Sequence, residues 1–304
     1  MALRRAALIL LVAALAPAAA PAPAPSPLDE VIAAERAFAA ETRERGFRDG
    51  FLAWVAPDGF TFHPGPTPAR PGLEALPAEP PAGPPLYWWP QFAGVAVSGD
   101  LGFTSGGASI PVRYFTVWQR QADGRWKWIY DGGPRLDAPL PGGEDGPVLR
   151  LPMATAAAGS ASCARAEVAV LEADLAARAA DDSAAARLRH LAEDGLAAGS
   201  PAASIPGREQ QRAELARQPA RQRLRPLGAI ASRAGDLVFT WGEARWSGEG
   251  ADGWGHYARI WQKRAQGWRL VADILVPAPG TPPAQNAGEA GTAPGDLGCQ
   301  AQRG

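Results

Sequence analysis

Gly99-Asp100-Leu101-Gly102-Phe103-Thr104-Ser105-Gly106 is met again as Gly235-Asp236-Leu237-Val238-Phe239-Thr240-Trp241-Gly242, 136 residues further along the chain. The likeness continues beyond these positions. Tyr114-Phe115-Thr116-Val117-Trp118-Gln119-Arg120 corresponds to Tyr257-Ala258-Arg259-Ile260-Trp261-Gln262-Lys263, and Trp126-Lys127-Trp128-Ile129-Tyr130-Asp131 to Trp268-Arg269-Leu270-Val271-Ala272-Asp273. Self-similarity at a nearly fixed period marks a duplicated unit and outranks any local assignment. The offset rises from 136 at Asp236 to 143 at Tyr257, which puts an insertion in the hairpin at Gly248 to Gly253.

Outward from the repeat, the chain reads as helices followed by strands. Leu28 to Arg45 carries Val31, Ile32, Ala34, Phe38 and Ala39 at helical spacing, with Asp29 and Glu30 where acidic side chains suit the helix dipole. Gly46 to Val55 gives a second short helix, and Pro57-Asp58-Gly59 turns into a strand at Phe60 to His63. Gly72 to Leu76 forms at most a helical turn. From Tyr87 the pattern is β: Tyr87 to Val97, Leu101 to Ile110, Arg113 to Gln121 and Trp126 to Tyr130. The second copy keeps the order, with helices at Ala164 to Ala180, Ser183 to Glu193 and Arg208 to Gln218 and a turn at Asp194-Gly195. Its strands are Leu224 to Ala231, Leu237 to Ser247, Gly255 to Arg264 and Trp268 to Leu275. Helices first and a run of antiparallel strands after them is the α+β pattern.

The chain has 304 residues with 30 basic and 31 acidic side chains, a net charge of −1. That length suits two domains, and that balance gives no reason to expect nucleic acid as a partner. Residues 1–20 read as an export signal, with Arg4 and Arg5 ahead of an apolar run from Ala6 to Ala16 too short to span a bilayer. A periplasmic or secreted protein with no stable membrane anchor after cleavage is therefore expected. Residues 21–27 form a Pro/Ala leader, 28–134 the first domain, 135–162 a linker, 163–277 the second domain and 278–304 a disordered Gly/Ala/Pro tail. In an oxidising compartment a lone cysteine pair, Cys163 and Cys299, reads more readily as a disulfide than as a metal site, with two free thiols as the alternative.

Both copies resemble the SnoaL-like, DUF4440 type of domain in the NTF2-like superfamily. The resemblance is carried by Phe62-His63-Pro64-Gly65-Pro66, by the Gly-Asp-Leu strands at Gly99 and Gly235, and by Val117-Trp118-Gln119-Arg120 with its second-copy counterpart. It implies two cone domains, each a curved antiparallel sheet wrapped around N-terminal helices, with an apolar pocket at one end. Members include isomerases, cyclases, dehydratases and hydrolases, so the fold names no reaction. Family members commonly dimerise through their sheets, which here implies an intrachain pseudodimer.

Strand alternation puts Tyr114, Thr116, Trp118 and Arg120 on one face, and Trp126, Trp128 and Tyr130 on a face opposite Ile129 and Asp131. The aromatic faces are read as the surfaces on which the two copies pack, the alternative being that they cap each copy's own core. Asp131 and Asp273 then sit beside Ile129 and Val271, facing the cone, where desolvation suits a carboxylate to general acid/base work. They are the candidate catalytic residues, with His63 and His256 as neighbours; a structural role at the strand end is the competing reading. No two of His63, His190 and His256 stand at metal-binding spacing, and no phosphate or dinucleotide fingerprint occurs, so neither metal nor cofactor is expected. Trp54, Tyr87, Trp88, Trp89, Tyr114 and Tyr257 are candidate ligand-binding residues, or else core filling. Three functions follow: binding of a small apolar molecule, which is preferred; a cofactor-independent isomerase, dehydratase or hydrolase; and a structural or interaction module with filled pockets.

Overall fold

Residues 24–78, 85–154, 159–247 and 252–282 are described by a computed structural model, and in them the repeat becomes two sheets of matching strand order. The first half runs α1 (Pro27–Arg45), α2 (Phe47–Trp54), β1 (Val55–Phe62), β2 (Pro66–Pro68), α3 (Ala69–Glu74), β3 (Trp88–Val95), β4 (Leu101–Ala108), β5 (Arg113–Arg120), β6 (Trp126–Gly132) and β7 (Leu149–Arg150). The second runs α4 (Ala161–Ala179), α5 (Ser183–His190), β8 (Leu191–Ala198), α6 (Arg208–Leu215), β9 (Arg223–Ala231), β10 (Leu237–Trp246), β11 (Gly253–Arg264) and β12 (Gly267–Ala278). Without the short edge strands β2 and β7, the first sheet is ordered β1-β6-β5-β4-β3 and the second β8-β12-β11-β10-β9.

Helix α1 begins where the Ser26 hydroxyl accepts from the Asp29 N–H and the Asp29 carboxylate accepts from the Ser26 N–H, a reciprocal cap. Its apolar stripe of Val31, Ile32, Phe38 and Ala39 is buried against the first sheet.

Both sheets are mixed rather than wholly antiparallel, because β1 pairs parallel with β6 and β8 parallel with β12. Four strands separate β1 from β6 in the chain and three separate β8 from β12, returns long enough to bring the backbone round in the parallel sense. Val55 and the Asp194-Gly195 pair, read as helix and turn, belong to these edge strands. Within 135–162, expected to be a bare linker, Leu149–Arg150 adds to β3 as β7, and Leu136, Leu140 and Leu151 are buried.

The expected faces are reversed. Tyr114, Trp118, Trp126 and Trp128 pack with Val31, Phe38 and Phe51 inside the first cone. Phe103, Phe115, Val117 and Ile129 pack with Leu237, Phe239, Ile260 and Val271 in one apolar layer between the two sheets. The space between a curved sheet and its helices is deep and takes the large indoles, whereas two sheets packed face to face stand only about 10 Å apart.

A bulge in β6 decides where Asp131 points. Trp118 lies opposite Trp128 and Val117 opposite Tyr130, so Ile129 is the extra residue. The alternation slips by one, and Ile129 and Tyr130 both turn to the apolar layer while Trp128 and Asp131 both face the cone. In β12 the extra residue is Val271, between Leu270 opposite Trp261 and Ala272 opposite Ile260.

The repeated Gly-Asp-Leu acquires a physical reason here. Gly99 and Gly235 hold φ of 61° and 65°, which a residue with a Cβ adopts at a cost. Asp100 accepts from the Arg233 N–H at 3.0 Å, and Asp236 accepts from the Val97 N–H at 2.9 Å, the same bond made in both directions between the halves. Leu101 and Leu237 enter the apolar layer.

Candidate functional site

The first cone encloses a cavity of about 530 Å³. Phe51 from α2, Leu73 from α3, Trp88 from β3 and Trp128 from β6 make its apolar walls, and Tyr114, Asp131 and His63 supply polar groups.

Two acids stand together in this cone. Glu35, on the buried stripe of α1, accepts from Trp88 Nε1, from Thr104 Oγ1 and from Trp118 Nε1, the last at 3.0 Å. Burial raises its pKa in spite of these donors. Asp131 faces the open cavity and accepts from Thr116 Oγ1 at 2.7 Å. Burial pushes its carboxyl up to about 7, with the negative charge of Glu35 adding to the effect. Beside them the Tyr114 hydroxyl is buried with Thr104 as its hydrogen-bonding neighbour, and Trp128 Nε1 is buried without a partner among the described residues. Burial and the Glu35 charge push the Tyr114 phenol well above its usual range.

The second cone keeps this frame and fills it. Glu172 on α4 accepts from Thr240 Oγ1 at 2.6 Å and Trp261 Nε1 at 2.7 Å, repeating the Thr and Trp donors of Glu35. The place of Thr116, however, is taken by Arg259, which donates to Glu172 and to Asp273, both at 2.7 Å, with its guanidinium 3.9 Å from the Tyr257 ring centroid. Arg187, at the position of Phe51, lies 3.4 Å from Asp273 and donates to Gln218 and Gln222. Burial alone would raise the Asp273 pKa; Arg259 and Arg187 hold it below the usual carboxylate range instead. Two aspartates at the same position in the same fold thus have opposite electrostatics.

Of the residues singled out from sequence, Trp88, Tyr114, His63 and Asp131 come together at the first cavity. Trp54, Tyr87 and Trp89 do not line it. Trp54 Nε1 donates to Glu41 at 2.6 Å, Tyr87 stacks under Arg43 at 4.7 Å, and Trp89 is covered by Leu140 and Gly142. Tyr257 lies in the second cone under Arg259. His256 is not beside Asp273: one residue before Tyr257, it points the other way, into the layer between the sheets. There it stacks on Phe62 with ring centroids 3.9 Å apart and its Nε2 meets Tyr130 Oη at 2.8 Å, while burial drives its pKa down to about 3. Cys163 is disulfide-bonded, and Cys299 lies outside the described residues.

Glu35, Thr116, Glu172, Arg187 and Arg259 were not singled out from sequence. Glu35 and Glu172 carried a readable signal: each is an acid on an apolar helical stripe, Val31-Glu35-Phe38 and Val168-Glu172-Leu175. A second, more open groove of about 660 Å³ borders Trp126 and Lys127, but its acids are engaged, Glu30 by Arg120 and Glu41 by Trp54. Among the described residues no group of three or more His, Cys, Asp or Glu is arranged to hold a metal, and no helix is long and apolar enough to cross a membrane.

No family model matches the chain, and no curated protein matches it. Among solved structures it is similar to a protein of unknown function with a cystatin-like fold from Nostoc punctiforme, at 19% identity and a TM-score of 0.32 over 39% of this chain and 93% of that one. It is similar also to an NTF2-like protein of unknown function from Pseudomonas putida, at 17% identity and a TM-score of 0.33 over 40% and 92% of the two chains. A ketosteroid isomerase-like protein from Erwinia carotovora atroseptica matches at 10% identity and a TM-score of 0.34 over 38% and 96%. These neighbours are NTF2-like, ketosteroid isomerase-like and cystatin-like-fold proteins; nothing of the site chemistry follows from them.

Proposed function

We propose that the first cone binds a small, mostly apolar molecule whose polar end is received by Asp131 and Tyr114, and that the second cone serves as a filled scaffold. The observation that carries this reading is an apolar cavity of about 530 Å³ with Asp131 and Tyr114 in its lining, the Asp131 carboxylate accepting from Thr116 Oγ1 at 2.7 Å. A largely apolar concavity with a few convergent polar groups is the usual form of a small-molecule site. A thermal-shift screen with apolar metabolites bearing one polar group tests it, on the full chain and on Tyr114→Phe and Asp131→Asn. The expected result is a raised Tm that the variants diminish. An unchanged melting profile across a broad set would overturn it.

A second reading has its own observation. A carboxyl near 7 in an apolar pocket is poised to take and return a proton, which suits a cofactor-independent isomerase, dehydratase or hydrolase with Asp131 as acid/base. Turnover abolished by Asp131→Asn with binding retained would decide for it. The finer assignment of both halves as SnoaL-like units is supported by the Gly-Asp-Leu and Val-Trp-Gln-Arg strands. Export to the periplasm or beyond is supported by the charged and apolar pattern of residues 1–20 and by the disulfide at Cys163.

A further inference from the structure

The two halves carry the same frame: a helix glutamate (Glu35, Glu172), a threonine and a tryptophan donating to it, a tyrosine (Tyr114, Tyr257) and an aspartate past the bulge (Asp131, Asp273). In the second half that frame closes on a cation. The Arg259 guanidinium bridges Glu172 and Asp273 at 2.7 Å each and lies against the Tyr257 ring. In the first half both acids and the tyrosine remain, while Thr116 stands in place of Arg259 and Phe51 in place of Arg187. This half instead holds a cavity walled by Phe51, Trp88, Trp128 and Tyr114, with Asp131 in its lining.

We infer that the ligand of the first cone is an organic cation, an amine or guanidine on an apolar body, whose charged head sits at Asp131 and the Tyr114 ring where the Arg259 guanidinium sits in the second cone. This rests on the reading of the first cone as a binding site and names the chemical class that it selects. A buried Glu35 and a half-buried Asp131 side by side without a cation are held at a cost, since desolvation disfavours each charge and each disfavours the other. Among the described residues the charge that acts on Asp131 is that of another acid, Glu35, and Thr116 donates a hydrogen bond to it. An incoming ammonium supplies the missing countercharge, and aromatic faces favour a cation above them. The rest of the molecule is received by Phe51, Trp88 and Trp128, which fit an aryl or alkyl body.

Calorimetric titration of the full chain with matched pairs, phenethylamine against phenethyl alcohol and hexylamine against hexanol, at about pH 8 where Asp131 is ionised, tests the inference. Each amine should bind about tenfold more tightly than its alcohol, the margin between a charge-assisted and a neutral hydrogen bond. In Asp131→Asn that preference should vanish. Thr116→Arg, which supplies the guanidinium from the chain itself, should lose amine binding while keeping its circular dichroism spectrum; if that variant does not fold, the ratio in Asp131→Asn decides. Alcohols that bind as tightly as the amines, with a ratio unaltered by Asp131→Asn, would overturn the cation and leave the binding site standing. Failure of both classes to bind would remove the site and the cation together.

Discussion

Thr116 and Arg259 hold the same position in the two sheets, Thr116 directly across from Asp131 and Arg259 directly across from Asp273. A hydroxyl can offer its aspartate one hydrogen bond and no charge; a guanidinium offers both, to two acids at once. From this one position follow an aspartate near 7 in one cone and an ion-paired aspartate in the other.

Replacing Arg259 by Thr should therefore destabilise the protein strongly. It leaves Glu172 and Asp273 buried and without their shared countercharge, a loss of about 3–5 kcal/mol. Urea unfolding measures it, and adding Asp273→Asn to Arg259→Thr should restore part of the loss. A single-variant change below about 0.5 kcal/mol would show the network to be energetically idle.

Asp131 should make stability fall as pH rises. Its folded-state pKa is about 7 against the ordinary value of 3.8, so between those values the folded chain binds a proton that the unfolded chain has released. The contribution is full below about 4, lost progressively toward 7 and flat above it. Glu35, which faces the same cone, shifts in the same direction. Unfolding free energies at about pH 5 and 7.5 should differ less in Asp131→Asn than in the parent; an equal difference in both would refute the assignment.

His256 should act with the opposite sign. Held down to about 3 from 6.5, it stays neutral when folded and is protonated when unfolded, so its stabilisation is present above 6.5 and drains away as pH falls toward 3. His256→Phe, which keeps a ring against Phe62, should lose less stability on acidification than the parent, read from Tm between about pH 7 and 4.5.

The acceptor role of Glu35 separates shape from hydrogen bonding. Glu35→Ala leaves the Trp88 N–H and the Thr104 hydroxyl without their acceptor, at about 1–3 kcal/mol for each group left unsatisfied, while the Trp118 N–H keeps Thr104 Oγ1 at 3.1 Å. Glu35→Gln keeps one carbonyl acceptor and should cost less. Equal losses in urea unfolding would show that neither the volume nor the one carbonyl acceptor that Gln retains matters, and would overturn this expectation.

The duplication, the order of helices and strands and the pocket's Trp88, Tyr114, His63 and Asp131 were legible in the sequence because they are carried by local pattern. What was not legible depends on a single inserted residue. Strict alternation put Asp131 on the face of Ile129 and put both in the cone; the bulge at Ile129 sends that residue to the apolar layer and keeps Asp131 inside. His256 was misplaced for a related reason, since its partners Phe62 and Tyr130 come from the other half and no spacing within one strand reveals them. The pairing of Arg259 with Glu172 joins a strand to a helix 87 residues away, beyond the reach of periodicity.

The reciprocal bonds Val97 to Asp236 and Arg233 to Asp100 tie unlike copies in the manner of identical subunits. An assembly of two identical chains must place the same side chain at both equivalent positions, so a hollow cone and an ion-locked cone could not coexist in it. Fusion into one polypeptide lifts that constraint, and a division of labour opens: the Arg259 half can be selected for rigidity, leaving the Thr116 half free to specialise its lining.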